Sequence, residues 1–291
     1  MTATTSRIIF ESPLFDVGEF HCPPASPLWS ALNLIGATPH VVFPRTSVVI
    51  AHGGRRPFVW SRNHVVFYNP GEVYRRSLHD PRGDDCVYVS LGPAFAGHGP
   101  ETFPFAAGPG DAHAYLLQHV AVRALHHARP DALAVEEVIA RAVTRSIAAA
   151  NAFHRDAPTE TARAQRARYA LSESAKSWLI ENLTERFTLS EIARALHTSP
   201  FHLARVFRRE TGFSLHDYRN HLRLRTALDR IENGDDLARI AHQLGYSSHS
   251  HFTRAFTRAF GVTPSSLRRK SPNRLLDELR TIVAARLARA P

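Results

Sequence analysis

The 291-residue chain holds only two cysteines, Cys22 and Cys86. Two are too few for a disulfide framework, so both read as thiols. Lysine is nearly missing as well: Lys176 and Lys270 stand alone, and arginine carries the rest of the positive charge. No run of about 18 apolar residues occurs, which excludes a membrane-spanning helix. The opening MTATTSRIIFESPLF has no basic start followed by an apolar run. No secretory signal is therefore read, and a cytoplasmic location is expected. A P-loop, a Rossmann fingerprint and a Ser-His-Asp grouping are all missing, so the common nucleotide-binding and hydrolase readings find no support.

The charge that is present is unevenly placed. Residues 1–157 carry 13 Lys+Arg and 13 Asp+Glu, net 0, whereas residues 158–291 carry 23 and 13, net +10. A neutral half joined to a basic half points to a polyanionic partner for the basic one, nucleic acid before membrane surface.

Residues 1–110 read as β-structure. Short runs rich in β-branched and aromatic residues (41–43, 47–50, 58–60, 64–68 and 86–89) are separated by turn formers such as Gly53-Gly54, Asn69-Pro70-Gly71 and Pro81-Arg82-Gly83. Many short strands with regular breaks predict a small barrel or sandwich. Over 111–154 the pattern turns helical: Leu117, Ala121 and Leu125, then Val135, Ile139, Val143 and Ile147, recur every four residues. This helical hairpin is expected to pack on its own domain or to dimerise. Polar residues 155–165 read as a linker, and 166–291 read as an all-helical segment, the basic part of the chain expected to bind DNA. Its final stretch, Arg274 to Arg289, places Leu275, Leu276, Leu279, Ile282, Val283 and Leu287 on an amphipathic helix. That helix packs back on a domain or joins a partner.

The C-terminal half repeats itself. Leu189–Leu196 matches Leu237–Leu244 at an offset of 48, and His202–Phe207 matches His251–Phe256 at an offset of 49, which Gly212 and Gly261 keep. Each copy has the physics of a helix-turn-helix. Thr188 and Glu191 form a capping-box pair. Ser199-Pro200 is a strong helix start. Gly245 stands just past a helix end, where a left-handed residue is wanted, and His197 holds that place in the first copy. A connecting helix from Ser214 to Ile231 spans about 27 Å.

With these pieces in view, the segment from about Ala175 to Arg269 resembles the AraC/XylS family of transcription regulators. The motifs that carry the likeness are Ile240-Ala241, Gly245-Tyr246, Phe252–Phe256 and Phe260-Gly261-Val262-Thr263-Pro264. His197 departs from the family's usual glycine, and Leu267 from its usual tyrosine. The resemblance implies an α+β protein. It would have an N-terminal cupin-like β-barrel with a dimerising helical hairpin, and a C-terminal domain of seven helices with two helix-turn-helix units. It implies double-stranded DNA as partner, a homodimer, RNA polymerase as a further partner in an activator, and no enzyme activity. Carried over by position, Pro200, Phe201, Ala204, Arg205 and Arg208 would face DNA from the first recognition helix. Ser248, His249, Ser250, Thr253 and Arg254 would do so from the second. Outer-face residues at the start of such helices reach base edges, and arginine suits guanine. Phe201 either meets a thymine methyl or packs beside the turn.

The N-terminal half offers less. Cupin enzymes carry His-x-His metal ligands, and residues 1–110 contain no His-x-His, which argues against a fused oxygenase. No cofactor is expected beyond a small-molecule or metal effector. An organic effector would find walls in Trp29, Trp60, Tyr68 or Tyr74 and an anion anchor in Arg75. Cys22 and Cys86 could instead meet to bind a soft metal ion or form a redox bridge. A third reading has the N-terminal half only dimerise.

Overall fold

A computed structural model describes residues 3–53, 56–96, 102–155 and 162–287. The chain divides into two compact units, Met1–Asn151 together with Lys270–Pro291, and Ala152–Arg269. Residues 270–291, the end of the all-helical stretch 166–291 in the sequence, thus fall with the first unit. Of the linker expected at 155–165, residues 156–161 lie outside the described residues, and so does Gly54 of the Gly53-Gly54 turn.

The first unit begins with strands β1 (Thr5–Glu11), β2 (Phe15–Cys22), β3 (Asn33–Leu34), β4 (His40–Pro44), β5 (Val48–His52), β6 (Phe58–Trp60), β7 (His64–Tyr68), β8 (Val73–Leu78), β9 (Asp84–Leu91) and β10 (Ala107–Pro109). The five apolar runs fall in β4, β5, β6, β7 and β9. The described strands do not close into the cupin-like barrel that the resemblance implies, and follow the sandwich alternative of the sequence pattern instead. They form two antiparallel sheets, β1-β2-β9-β4-β7-β10 and β3-β8-β5-β6, with no ladder between the two among the described residues. Strands of two or three residues, such as β3, β6 and β10, leave too few hydrogen bonds to join the sheets at their edges.

Alternation along the strands gives the larger sheet two faces. Val17, Val41, Phe43, Val87 and Val89, all fully buried, share one face with Glu19. The same face meets helix α2 (Ala112–His127), whose His126 Nε2 lies 3.0 Å from Glu19 Oε2. The opposite face carries Phe20, Cys86, Tyr88, Val66 and Tyr68. Its Val66 and Tyr68 share one core with Val48, Ile50 and Trp60 of the smaller sheet. Gly83, at φ +100°, turns the chain into β9. A Cβ there would lie 2.2 Å from the Cys22 carbonyl oxygen, so only glycine fits.

After the short α1 (Pro93–Ala96), α2 and α3 (Ala132–Arg155) form the helical hairpin. Val135, Ile139 and Val143 have no exposed surface within the single chain. These three residues of the stripe are core, the first of the two alternatives that the sequence left open. The final helix, α11 (Pro272–Leu287), packs beside α2. Leu275, Leu276 and Leu279 are buried, and Arg280 Nε bonds Glu137 Oε2 of α3 at 2.6 Å. The side chains of Ile282, Val283 and Leu287 and all of Arg289 lie outside the described residues.

Among the described residues after the linker, the second unit has the seven helices implied by the resemblance: α4 (Ala162–Glu181), α5 (Leu189–Ala195), α6 (Pro200–Thr211), α7 (Leu215–Glu232), α8 (Leu237–Gln243), α9 (His249–Phe260) and α10 (Pro264–Arg269). Leu179, Ile192, Leu203, Phe207 and Tyr218 form the core of its first half. Lys176 is fully buried in this unit and holds Glu173 Oε1 at 2.6 Å.

Candidate nucleic-acid interface and inter-sheet cavity

Each helix-turn-helix is built from caps that the sequence encodes. The Thr188 hydroxyl accepts from Glu191 N at 3.3 Å, and Glu191 Oε2 accepts from Thr188 N at 2.6 Å, closing the capping box. These bonds hold the Glu191 carboxyl below its ordinary range. Asp236 caps α8 in the second copy. The turns then match bond for bond. His197 N donates to Arg194 O at 3.1 Å and Thr198 N to Ala193 O at 2.9 Å, while Gly245 N donates to His242 O and Tyr246 N to Ala241 O, both at 3.0 Å. His197 sits at φ 52° and Gly245 at φ 75°. The histidine therefore adopts the left-handed conformation that glycine supplies in the other copy.

The second helices start on Ser199 and Ser248, whose hydroxyls accept from His202 N and His251 N. Both end on left-handed glycines, Gly212 at φ 76° and Gly261 at φ 75°. Leu203, Val206 and Phe207 bury one face of α6, and Phe252, Phe256 and Phe260 one face of α9. Pro200, Phe201, Arg205 and Arg208 are exposed on α6, and Ser248, His249, Ser250 and Arg254 are exposed at the start and along α9. Ala204 and Thr253 are half-buried. The Thr253 hydroxyl oxygen is shielded and has no hydrogen-bond partner among the described residues. Phe201 is 78% exposed, so it does not pack beside the turn. The unit Ala152–Arg269 holds 19 Lys+Arg against 12 Asp+Glu, net +7.

Arg223 of α7 ties the two copies together. Its Nε donates to Leu183 O at 2.7 Å, ahead of the first motif, and its Nη1 to Gly245 O at 3.4 Å, in the turn of the second. Burial lowers its pKa to about 10. Sequence reading missed this residue, because a buried arginine on a helix gives no local signal.

Within the first unit a cavity of about 270 Å³ lies between the sheets. Trp60, Tyr68, Tyr74 and Cys86, four of the seven expected effector residues, line it together with Val48, Ile50, Arg76 and Asp84. Arg75 does not: it is exposed, and its neighbour Arg76 is 3% exposed. Trp29 packs against the shared core, its indole N–H donating to Pro23 O at 2.8 Å. Cys22 is buried outside the lining.

Arg76 Nη1 donates to Asp84 Oδ2 at 3.0 Å and Nη2 to the Tyr74 hydroxyl. The guanidinium also stacks over the Phe20 ring at 4.4 Å. Burial pushes the Asp84 carboxyl up to about 6, with Arg76 pulling against it. Burial also pushes the Cys86 thiol well up, which keeps it protonated and unreactive. Cys22 pairs with Asp84 across β2 and β9, and Phe20 pairs with Cys86. The thiols are therefore diagonal neighbours, about 7–8 Å apart at Cα, which is too far for a bridge without backbone movement. Among the described residues no group of three His, Cys, Asp or Glu could hold a metal ion.

Residues 192–270 match the model of a helix-turn-helix domain family. The chain is 41% identical over 81 residues to the HTH-type transcriptional regulator GlxA of Rhizobium meliloti (strain 1021), covering 28% of this chain and 25% of that one. It is 34% identical over 98 residues to the HTH-type transcriptional activator RhaS of Pectobacterium carotovorum subsp. carotovorum (strain PC1), covering 33% and 35%. The chain thus spans about a quarter to a third of the length of these two relatives. Among solved structures, a transcriptional regulator of Chromobacterium violaceum, described by its AraC-type DNA-binding domain, aligns at 26% identity with a TM-score of 0.33, over 37% of this chain and 94% of that one. Residues 192–270 thus carry a helix-turn-helix domain similar to those of curated transcriptional regulators.

Proposed function

We propose that this chain is a cytoplasmic, effector-responsive transcription regulator that binds double-stranded DNA. The observation that carries the reading is the outward display of Arg205, Arg208 and Arg254 on the second helices of two matched motifs, within a unit of net charge +7. Each second helix enters one major-groove segment. Arg205 and Arg254 read guanine, and the neighbouring side chains contact base edges and phosphates. The connecting helix α7, 18 residues long and so about 27 Å, sets the two segments roughly one turn of B-DNA apart. The protein acts as a homodimer through a surface other than the buried Ile139–Val143 stripe, and as an activator it would contact RNA polymerase. The inter-sheet cavity holds the effector.

A fragment spanning 162–269 tests the DNA-binding part. It omits α11, whose Leu275, Leu276 and Leu279 belong to the other unit's core. Its affinity for promoter DNA should fall by about 10³-fold or more between about 50 and 200 mM salt, as six or more phosphate contacts require. A folded fragment that binds no DNA at low salt overturns the reading.

A further inference from the structure

We propose that the groove between α5, α6 and the start of α7 binds a small organic carboxylate with an apolar, one-ring body, and that the bound anion competes with DNA for Arg208. This groove lies within the helix-turn-helix unit and is separate from the inter-sheet cavity. Only the competition rests on the reading of that unit as DNA-binding.

The groove encloses about 360 Å³, within the roughly 300–1,000 Å³ usual for ligand pockets. Phe187, Leu189, Ile192, Ala204 and Leu215 give it apolar walls, and Leu189 is 40% exposed. A bare phosphate has no use for such a surface, whereas a ring seated there leaves water.

The charged lining is cationic. Arg208, Arg219 and His216 line the groove and no carboxylate does. Among the described residues neither arginine makes an ion pair. Arg219 Nη1 donates to Glu185 O at 3.3 Å, and the guanidinium lies 4.2 Å from the centre of the Phe187 ring. A guanidinium has five N–H donors in a planar fork, so enough remain for a carboxylate. Burial lowers the Arg219 pKa, and only the Tyr246 phenol opposes it. The neighbouring carboxylates are engaged elsewhere. Glu191 Oε2 accepts from the Thr188 hydroxyl at 2.8 Å, and Asp217 Oδ2 from the Ser214 hydroxyl at 2.7 Å. Asp217 also lies 3.7 Å from His216.

The second copy of the motif supplies the anion that the first lacks. Arg219 corresponds to Arg268 at the offset of 49, and Thr188, the cap of α5, corresponds to Asp236, the cap of α8, at the offset of 48. The Asp236 carboxyl is held below its ordinary range by the Arg239 backbone N–H first, and also by the charge of Arg268. In the first copy a threonine stands in place of that aspartate, and Arg208 adds a second guanidinium where the second copy has Thr257. The first groove thus gathers cations without a carboxylate, and a ligand carboxylate completes it.

Cinnamate and its neutral isostere cinnamamide test the proposal on the full chain near neutral pH. Calorimetry should show cinnamate at one site per chain and cinnamamide about tenfold or more weaker. Thr188→Asp installs the carboxylate of the second copy and keeps a good cap. This variant and Arg219→Gln should each weaken cinnamate about tenfold or more. Thr188→Asn, an uncharged cap, should leave it unchanged, and so should Ile50→Trp, which fills the inter-sheet cavity. Cinnamamide as tight as cinnamate, full affinity in both Thr188→Asp and Arg219→Gln, or no binding to the folded chain at about 5 mM overturns the proposal. Inorganic phosphate that displaces cinnamate at equal concentration would make this a bare phosphate site and overturns the ligand class. A leucine-containing acidic peptide that displaces cinnamate and binds more tightly would make it a protein-docking groove and does the same. At matched ionic strength, saturating cinnamate should weaken promoter DNA binding about tenfold or more. Bound cinnamate that leaves DNA affinity unchanged overturns the competition. A folded chain that binds cinnamate but no DNA defeats the DNA-binding reading and spares the site.

Discussion

The guanidinium of Arg223 lies against Gly245 so closely that a Cβ on the glycine would fall 2.7 Å from Arg223 Nη2 and 2.6 Å from the Thr184 carbonyl oxygen. One side chain of the connecting helix thus sets the turn of the second motif against the segment that leads into the first. Arg223→Met strips donors from the carbonyls of Leu183 and Gly245 and should cost roughly 2–3 kcal/mol in urea unfolding. Gly245→Ala adds the left-handed strain at φ +75° to that crowding. Gly234, at φ +81° with open space around its Cβ position, is the control: Gly234→Ala should cost about 1–2 kcal/mol, and Gly245→Ala measurably more. Equal costs would mean that Arg223 yields without penalty.

His197 makes the opposite prediction. It holds φ 52° at an exposed position where the second copy has glycine. His197→Gly removes the left-handed strain at the expense of a more flexible unfolded chain. A net gain of about 0.5–1 kcal/mol is expected by thermal or urea unfolding. A loss would show that the imidazole makes a stabilising contact.

Arg254 is exposed on the outer face of α9. Arg254→Ala should lose about 1–3 kcal/mol of preference at one base position, measured by competition among operator variants. A uniform loss across all sequences would make it a phosphate clamp instead.

Ile139 and Val143 are fully buried inside a single chain. Changing both to Asp places two charges in a packed core, at a cost well above 4 kcal/mol. Circular dichroism should therefore show loss of the first unit's fold. Folded monomers in sedimentation would return the stripe to the dimer interface.

Lys176 links the second unit to pH. Burial lowers its pKa from 10.5 to about 8, with Glu173 pulling it back up. Between those values the unfolded chain binds a proton that the folded one has released, so stability rises with pH across that window. Below about pH 8 the buried charge costs its full amount, on the order of 3 kcal/mol. Between pH 7.5 and 9.5 the wild type should gain about 1–2 kcal/mol relative to Lys176→Met. A flat difference would place the folded pKa near the ordinary lysine value.

The sequence made the second unit legible because its signals are local. Caps at Thr188, Ser199, Ser214 and Ser248 and the glycines at 212, 245 and 261 each fix a helix end without help from distant residues. The first unit depends on long-range pairing, which local patterns do not carry. A period-4 stripe at Val135, Ile139 and Val143 says that a helix face is covered, not by what. Strand parity explains the exchange of Arg75 for Arg76: adjacent residues point to opposite faces, and only the pairing of β8 with β5, Ala51 to Arg75 and Ile50 to Arg76, decides which one enters the core. Asp84 and Arg223 gave no signal because each is a polar residue buried by contacts distant in sequence.

The return of the chain to its first unit makes the helix-turn-helix unit an insert and not a tail. It has two covalent crossings, one before α4 and one at Lys270-Ser271, where two residues separate α10 from α11. Cleavage at an engineered protease site in the segment 156–161 would sever the first crossing and leave the second, with α11 still gripping α2 and the Arg280–Glu137 pair still closed. The reading heads would stay leashed after that single cut, and only loosening α11 as well would set them adrift.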